Sequence, residues 1–179
     1  MDREIYLVLS QTGSFVCNMI RVYTRDEFNH ISISLSKDLE PMYSFGRRNP
    51  YNPLWGGFVK EHLHSGTFKR FPRTKTAVLA LPVSEEVYNG IRDLLDEMYR
   101  HKEQFGYDMI GLYLAAIKIE KRRDNKYYCS DFIKTILQKY NVPGSEKLKS
   151  ITAPSDFLTF SGTTVIYRGL LKDYSILKK

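Results

Sequence analysis

The segment His30-Ile31-Ser32-Ile33-Ser34-Leu35-Ser36 alternates without a break. Ile31, Ile33 and Leu35 fall on one side, and His30, Ser32, Ser34 and Ser36 on the other. A period of two predicts a strand with one apolar and one polar face. A chain that contains it must supply further strands for its edges and helices for its apolar face. Ile5–Leu9, Met42–Phe45, Thr76–Leu81 (stopped by Pro82) and Thr163–Tyr167 read as those strands. Met42–Phe45 follows the turn Lys37-Asp38-Leu39-Glu40-Pro41 and is the expected hairpin partner of the alternating strand.

Helices are expected over Phe15–Tyr23, capped by Ser14, and over Glu85–Gln104, with acids in the first turn and Arg100, His101 and Lys102 in the last. Further helical segments are Met109–Ile119, whose apolar face is expected to be core, and Asp131–Tyr140, with a short turn over Thr152–Leu158. Residues 46–73 are rich in Gly, Pro, Asn and aromatics and read as a long surface loop with one short helix near Val59–Leu63. Strands with segregated helices and a hairpin make the class α+β, a central antiparallel sheet packed against helices.

At 179 residues the chain is long enough for one domain, 1–179. Ten Phe, thirteen Tyr and regular apolar segments exclude disorder over most of it. Its longest apolar runs, such as Ala77–Pro82, fall far short of the roughly 18–20 residues of a membrane span, so no transmembrane segment is expected. The start, Met1-Asp2-Arg3-Glu4, is not a secretory signal, and a cytoplasmic, reducing setting follows as the expectation. The net charge is +7, but it is scattered, and the densest run, Lys118–Asp124, is interrupted by acids. No zinc-finger, RNP or G-x-G-x-x-G motif accompanies it, so no specific nucleic-acid partner is expected.

Cys17 sits in the apolar stretch Ser14–Ile20 and reads as a small core residue. Cys129 has a different setting. Cys129, Phe132, Ile133, Ile136, Leu137 and Tyr140 occupy one face of a 3.6-residue period, and Cys129 lies at its N-terminal end. Unpaired N–H groups and the positive end of the dipole gather there, which stabilises a thiolate and can also hold an oxyanion. Position alone is equally met by a small hydrophobe at the top of a buried stripe. A nucleophilic Cys needs a base, which is a spatial neighbour rather than a sequence neighbour. His30 begins a strand beside Ser32 and Ser34, small residues that let a helix end approach. His101 lies in a basic helix end, and His62 and His64 alone do not complete a metal set; neither a metal nor a cofactor is expected.

The strand opening Phe28-Asn29-His30-Ile31-Ser32-Ile33-Ser34-Leu35 precedes the helix opening Tyr127-Tyr128-Cys129-Ser130-Asp131-Phe132-Ile133. With Met42–Arg47 and Ile151–Asp156, these segments resemble the circularly permuted papain-like families: the YiiX-like branch of NlpC-type cysteine hydrolases and the related lecithin retinol acyltransferase group. In those families the His strand comes before the Cys helix, as here. The resemblance spans roughly residues 4–168 and implies a permuted papain-like fold. It also implies Cys129 as nucleophile, His30 as general base and a polar third residue at or near Ser44, with Glu40 and Tyr43 as nearby alternatives. The backbone N–H of Cys129, Gln11 and Tyr128 are the implied oxyanion or substrate-binding groups.

The implied chemistry is acyl transfer through a thioester, which is amidase or peptidase action when water resolves it. An acyltransferase or lipid thioesterase would use the same pair. The substrate is accordingly peptide- or amide-like, or an acyl or lipid compound. A non-catalytic module that binds anions through its basic surface is the reading from another class.

Overall fold

A computed structural model of the chain describes residues 3–12, 27–49, 51–116, 119 and 123–178. The helix expected over Phe15–Tyr23, and Cys17 with it, lies outside the described residues. Eight strands form one sheet: β1 (Arg3–Gln11), β2 (His30–Ser34), β3 (Met42–Asn49), β4 (Asn52–Glu61), β5 (Lys75–Val83), β6 (Gly106–Tyr107), β7 (Lys126–Tyr127) and β8 (Thr164–Leu170). Their order is β7-β6-β4-β3-β2-β1-β5-β8. Every pairing is antiparallel except β6 with β7, which run parallel. Four α-helices accompany the sheet among the described residues: α1 (Gly66–Arg70), α2 (Glu85–Arg100), α3 (Met109–Ala116) and α4 (Cys129–Lys139). The mixed class and the largely antiparallel sheet agree with the expected α+β architecture.

The central strand β1 shows why the sheet is two-sided. Ile5, Leu7 and Leu9 enter the core beneath α2 and α4, joined by Ile31 and Ile33 of β2. Tyr6 and Val8 point to the opposite face, where Leu39, Leu63, Phe68 and Tyr174 cover them. From α4, Phe132, Ile133, Ile136 and Leu137 are at most 1% exposed. Such side chains contribute about 1.5–3 kcal/mol each when fully buried. Helix α2 begins as its sequence requires, with Ser84 Oγ accepting from the Val87 N–H at 3.2 Å.

Residues 46–73 are not the expected loop. β3 runs on to Asn49 and pairs with β4 from Met42↔Glu61 to Asn49↔Asn52, so Val59–Glu61 is strand rather than helix, and the short helix falls later, at Gly66–Arg70. Aromatic packing overrides the turn-like composition. Phe45 of β3 lies 5.5 Å from Phe58 of β4 and 5.1 Å from Phe132 of α4, and Phe58 lies 5.5 Å from Phe132. Tyr127, just ahead of α4, is 5.0 Å from Phe45. These rings fasten the first turn of α4 to the hairpin.

One further boundary and one burial differ from expectation. β5 continues through Pro82 to Val83, because β8 pairs with β5 only up to Ala80, so no neighbour on that side needs the missing N–H. Helix α3 is apolar but is not core: Met109, Ile110 and Tyr113 are exposed.

Candidate functional site

The site begins where the β2–β3 ladder ends. The ladder pairs Ile33↔Tyr43 and Ser34↔Met42. One residue further along each strand stand Ser32 and Ser44, and the Glu61 carboxylate, from the last residue of β4, spans them. Ser32 Oγ donates to Glu61 Oε2 at 2.6 Å, and Ser44 Oγ donates to the same oxygen at 2.9 Å. His30 Nε2 lies 3.1 Å from both Glu61 oxygens and 3.3 Å from Ser32 Oγ. The His30 and Glu61 side chains are only 13% and 11% exposed, so this ion pair is poorly screened by water. A Cβ at Gly46 would stand 3.4 Å from both Glu61 Oε1 and Ser44 Oγ, so glycine leaves the carboxylate its room.

Cys129 arrives from the other side. It is the first residue of α4, 3% exposed, and its side chain stands close enough to the His30 imidazole to help raise the pKa of the ring. Tyr128 is the N-cap in extended conformation (φ −101°, ψ 165°), and its side chain does not cap the helix. The first N–H groups of α4 thus have no partner from the helix itself. Three contacts set the position of Cys129. The aromatic cluster holds Phe132 three residues on. The parallel β6–β7 pair fixes Tyr127 against Tyr107. Within the first turns, Asp131 pairs with Lys134 at 3.2 Å, and Lys134 Nζ donates to the Ser150 carbonyl.

The electrostatics of the pair follow from its surroundings. Burial by itself would push the His30 pKa down. The Glu61 charge and the hydrogen bonds with Cys129 and Glu61 outweigh it and hold His30 well above its ordinary value. For Glu61, burial pushes upward, and the His30 charge with hydrogen bonds from His30, Ser32 and Ser44 brings the carboxyl below its ordinary value. Both directions favour an imidazolium–carboxylate pair. The imidazolium that forms when His30 takes the proton of a neighbouring thiol is stabilised by that pairing and can give the proton on.

Of the residues singled out from sequence, His30 and Cys129 come together. Ser44 is in the same cluster but reaches Glu61; it is one bond removed from the imidazole. Glu40 instead binds the Leu63 N–H at 2.8 Å and His62 at 2.5 Å, and Tyr43 is buried core beneath Lys60. Gln11 ends β1 next to the Ser10↔His30 pair, and Tyr128 abuts Cys129. His64 is exposed, and among the described residues no group of three or more His, Cys, Asp or Glu side chains is arranged to hold a metal ion.

Glu61 is the residue that sequence reasoning missed. Its signal was the alternation Phe58-Val59-Lys60-Glu61, which as a strand places Val59 and Glu61 on one face; the Gly, Pro and Asn around it argued for a loop. No helix among the described residues is long and apolar enough to cross a membrane. No protein-family model matches the chain, and no curated protein matches it in sequence.

Proposed function

We propose that the protein is a cysteine hydrolase of permuted papain-like fold that acts on amide or peptide-like bonds. One observation carries this reading: a buried imidazole is shared between a carboxylate and a thiol at a helix N-terminus. Nε2 of His30 is committed to Glu61, which leaves Nδ1 as the ring nitrogen to exchange a proton with Cys129. In the reaction His30 takes the proton of Cys129, and the thiolate attacks the carbonyl carbon. The negative charge that forms on oxygen is met by the N–H of Cys129 and its first-turn neighbours, with Gln11 as a side-chain donor. The tetrahedral species collapses as His30 returns the proton to the leaving amine. Water then attacks the thioester, giving its proton to His30, and the acid leaves as Cys129 regains its hydrogen.

Glu61 takes the orienting role that the family resemblance assigned near Ser44, and Ser32 and Ser44 hold Glu61. A second reading, an acyl or thioester substrate, is favoured by the apolar helix α3 that leaves the sheet beside Tyr127. The test is alkylation by iodoacetamide from pH 5 to 9 on wild type, Cys129→Ala and His30→Ala, with cysteine modification mapped by mass spectrometry. Reactivity of Cys129 that persists at the acid end and vanishes there in His30→Ala supports the reading. Equal labelling of Cys17 and Cys129, unaffected by His30→Ala, would sink it.

A further inference from the structure

Helix α4 is enclosed on every side where it starts. The consecutive residues Cys129–Lys134 are all buried, whereas a helix lying on a sheet ordinarily turns part of each turn to water. The sheet covers Phe132 and Ile133. Lys134, 4% exposed, lies off that stripe. Its ammonium is met by Asp131 Oδ1 at 3.2 Å and donates to the Ser150 carbonyl. A buried ammonium costs free energy unless its protons find such partners, so the contact with Ser150 is not one the fold can exchange for water.

The segment that follows Ser150 is stiff. Thr152 is buried and donates from Oγ1 to the Lys149 carbonyl at 2.7 Å. Pro154 fixes its own backbone and restricts that of Ala153, whose N–H donates to Asp156 Oδ2 at 2.9 Å. The 3-10 helix Pro154–Thr159 then inserts Phe157 into the core.

The far end of the segment reaches the other half of the site. Ser155 Oγ accepts from the Phe28 N–H at 3.4 Å. Phe28 is buried, and the N–H of Asn29 beside it donates to the Ser10 carbonyl at 3.2 Å, where Ser10 pairs with His30. Ser150 thus holds the helix that carries Cys129, and Ser155 holds the entry to the strand that carries His30.

We propose that Ser150–Ser155 is a strut that sets the spacing between the Cys129 thiol and the His30 imidazole, with Lys134 and Ser155 as the positioning residues at its two ends. The proposal rests on the reading of His30 as the base for Cys129. Both residues act through others. Proton exchange between sulfur and imidazole depends steeply on their separation, so a shift at either end is felt as lost exchange while the thiol itself stays intact.

Alkylation of Cys129 by iodoacetamide at pH 6 and pH 9, mapped by mass spectrometry on the full chain, separates these effects. At pH 9 a thiol ionises largely unaided, its ordinary pKa being about 8.5, whereas at pH 6 it needs the imidazole. Ser155→Ala removes the acceptor for Phe28 and leaves the buried charges in place. Lys134→Met keeps the length of the side chain and removes its charge. Each is expected to slow alkylation about tenfold at pH 6 and to leave the rate at pH 9 within about twofold. Ser155→Thr, which keeps a hydroxyl, is expected to alkylate at pH 6 as wild type does. Circular dichroism checks each fold, and the Ser155 variants decide the question even if Lys134→Met does not fold. An unchanged rate at pH 6 in Ser155→Ala, an equal loss at both pH values, or a Ser155→Thr as slow as Ser155→Ala would each overturn the strut. His30→Ala in the same assay tells the two readings apart. If it also leaves alkylation at pH 6 unchanged, the thiol–imidazole pair has failed and the strut with it. If it slows alkylation and Ser155→Ala does not, the strut alone has failed.

Discussion

Helices α3 and α4 leave two adjacent, parallel strands, β6 and β7, yet they meet opposite environments. α4 carries Ser130, Lys134, Gln138 and Lys139 among its apolar residues, and it buries Phe132, Ile133, Ile136 and Leu137. α3 carries no charge at all and leaves Ile110 and Tyr113 outside. Periodic placement, rather than total hydrophobicity, decides which helix is drawn into the core. The α4 stripe is matched to the Phe45–Phe58 surface, whereas α3 packs only part of its circumference, with Leu112, Leu114 and Ala115 half-buried and Ile110 and Tyr113 outside.

The sharpest test of this contrast is Phe132→Ala, which removes the ring linking α4 to both strands of the hairpin. It is expected to cost about 3–5 kcal/mol, read from urea unfolding. A loss below about 1 kcal/mol would mean that the ring cluster does not hold α4 in place.

Glu61→Gln comes next. Without the carboxylate charge, burial governs His30 and its pKa drops, so alkylation of Cys129 at pH 6 is expected to slow about a hundredfold. The same variant has a pH signature in stability. Glu61 is lowered in the fold, so its contribution is present above its ordinary 4.5 and is lost as pH falls through the lowered value. His30 is raised, so its contribution is complete below its ordinary 6.5 and is lost as pH rises through the raised value. The stability gap between wild type and Glu61→Gln should therefore be widest from about 4.5 to 6.5 and narrow on either side. A gap that is flat with pH would contradict the ion pair.

Ser44→Ala removes one donor to the carboxylate and is expected to cost about 1.5 kcal/mol at pH 6, with smaller slowing of alkylation than Glu61→Gln. The reverse ranking would return the orienting role to Ser44. The smallest effect belongs to α3: Ile110→Ala should change stability by no more than about 0.5 kcal/mol. A cost near that of a core isoleucine would show that α3 has a partner within the chain.

Much of the frame was legible because it is written in local periods. The β2 alternation and the α4 stripe are complete in seven and twelve residues, and both elements formed where their patterns stand. His30 and Cys129 could be paired from chain order and a family resemblance. Glu61 could not, because its role depends on the register Met42↔Glu61, and the Gly56-Gly57 and Asn52-Pro53 signals within β4 pointed to a loop. Those glycines accommodate close neighbours, Tyr107 at Gly56 and Arg48 at Gly57. The outward face of α3 was hidden for a similar reason: an apolar octet looks like core until the surrounding elements are seen to pack elsewhere.

The Glu61 clasp across Ser32 and Ser44 has a mechanical side as well. Past Ile33↔Tyr43 the two strands share no ladder bonds, so at that point a side chain is the rivet that sets their spacing. The group that tunes the charge of His30 is thus also a structural fastener. Electrostatics and strand separation are geared to one carboxylate, and neither can be adjusted by substitution at Glu61 without moving the other.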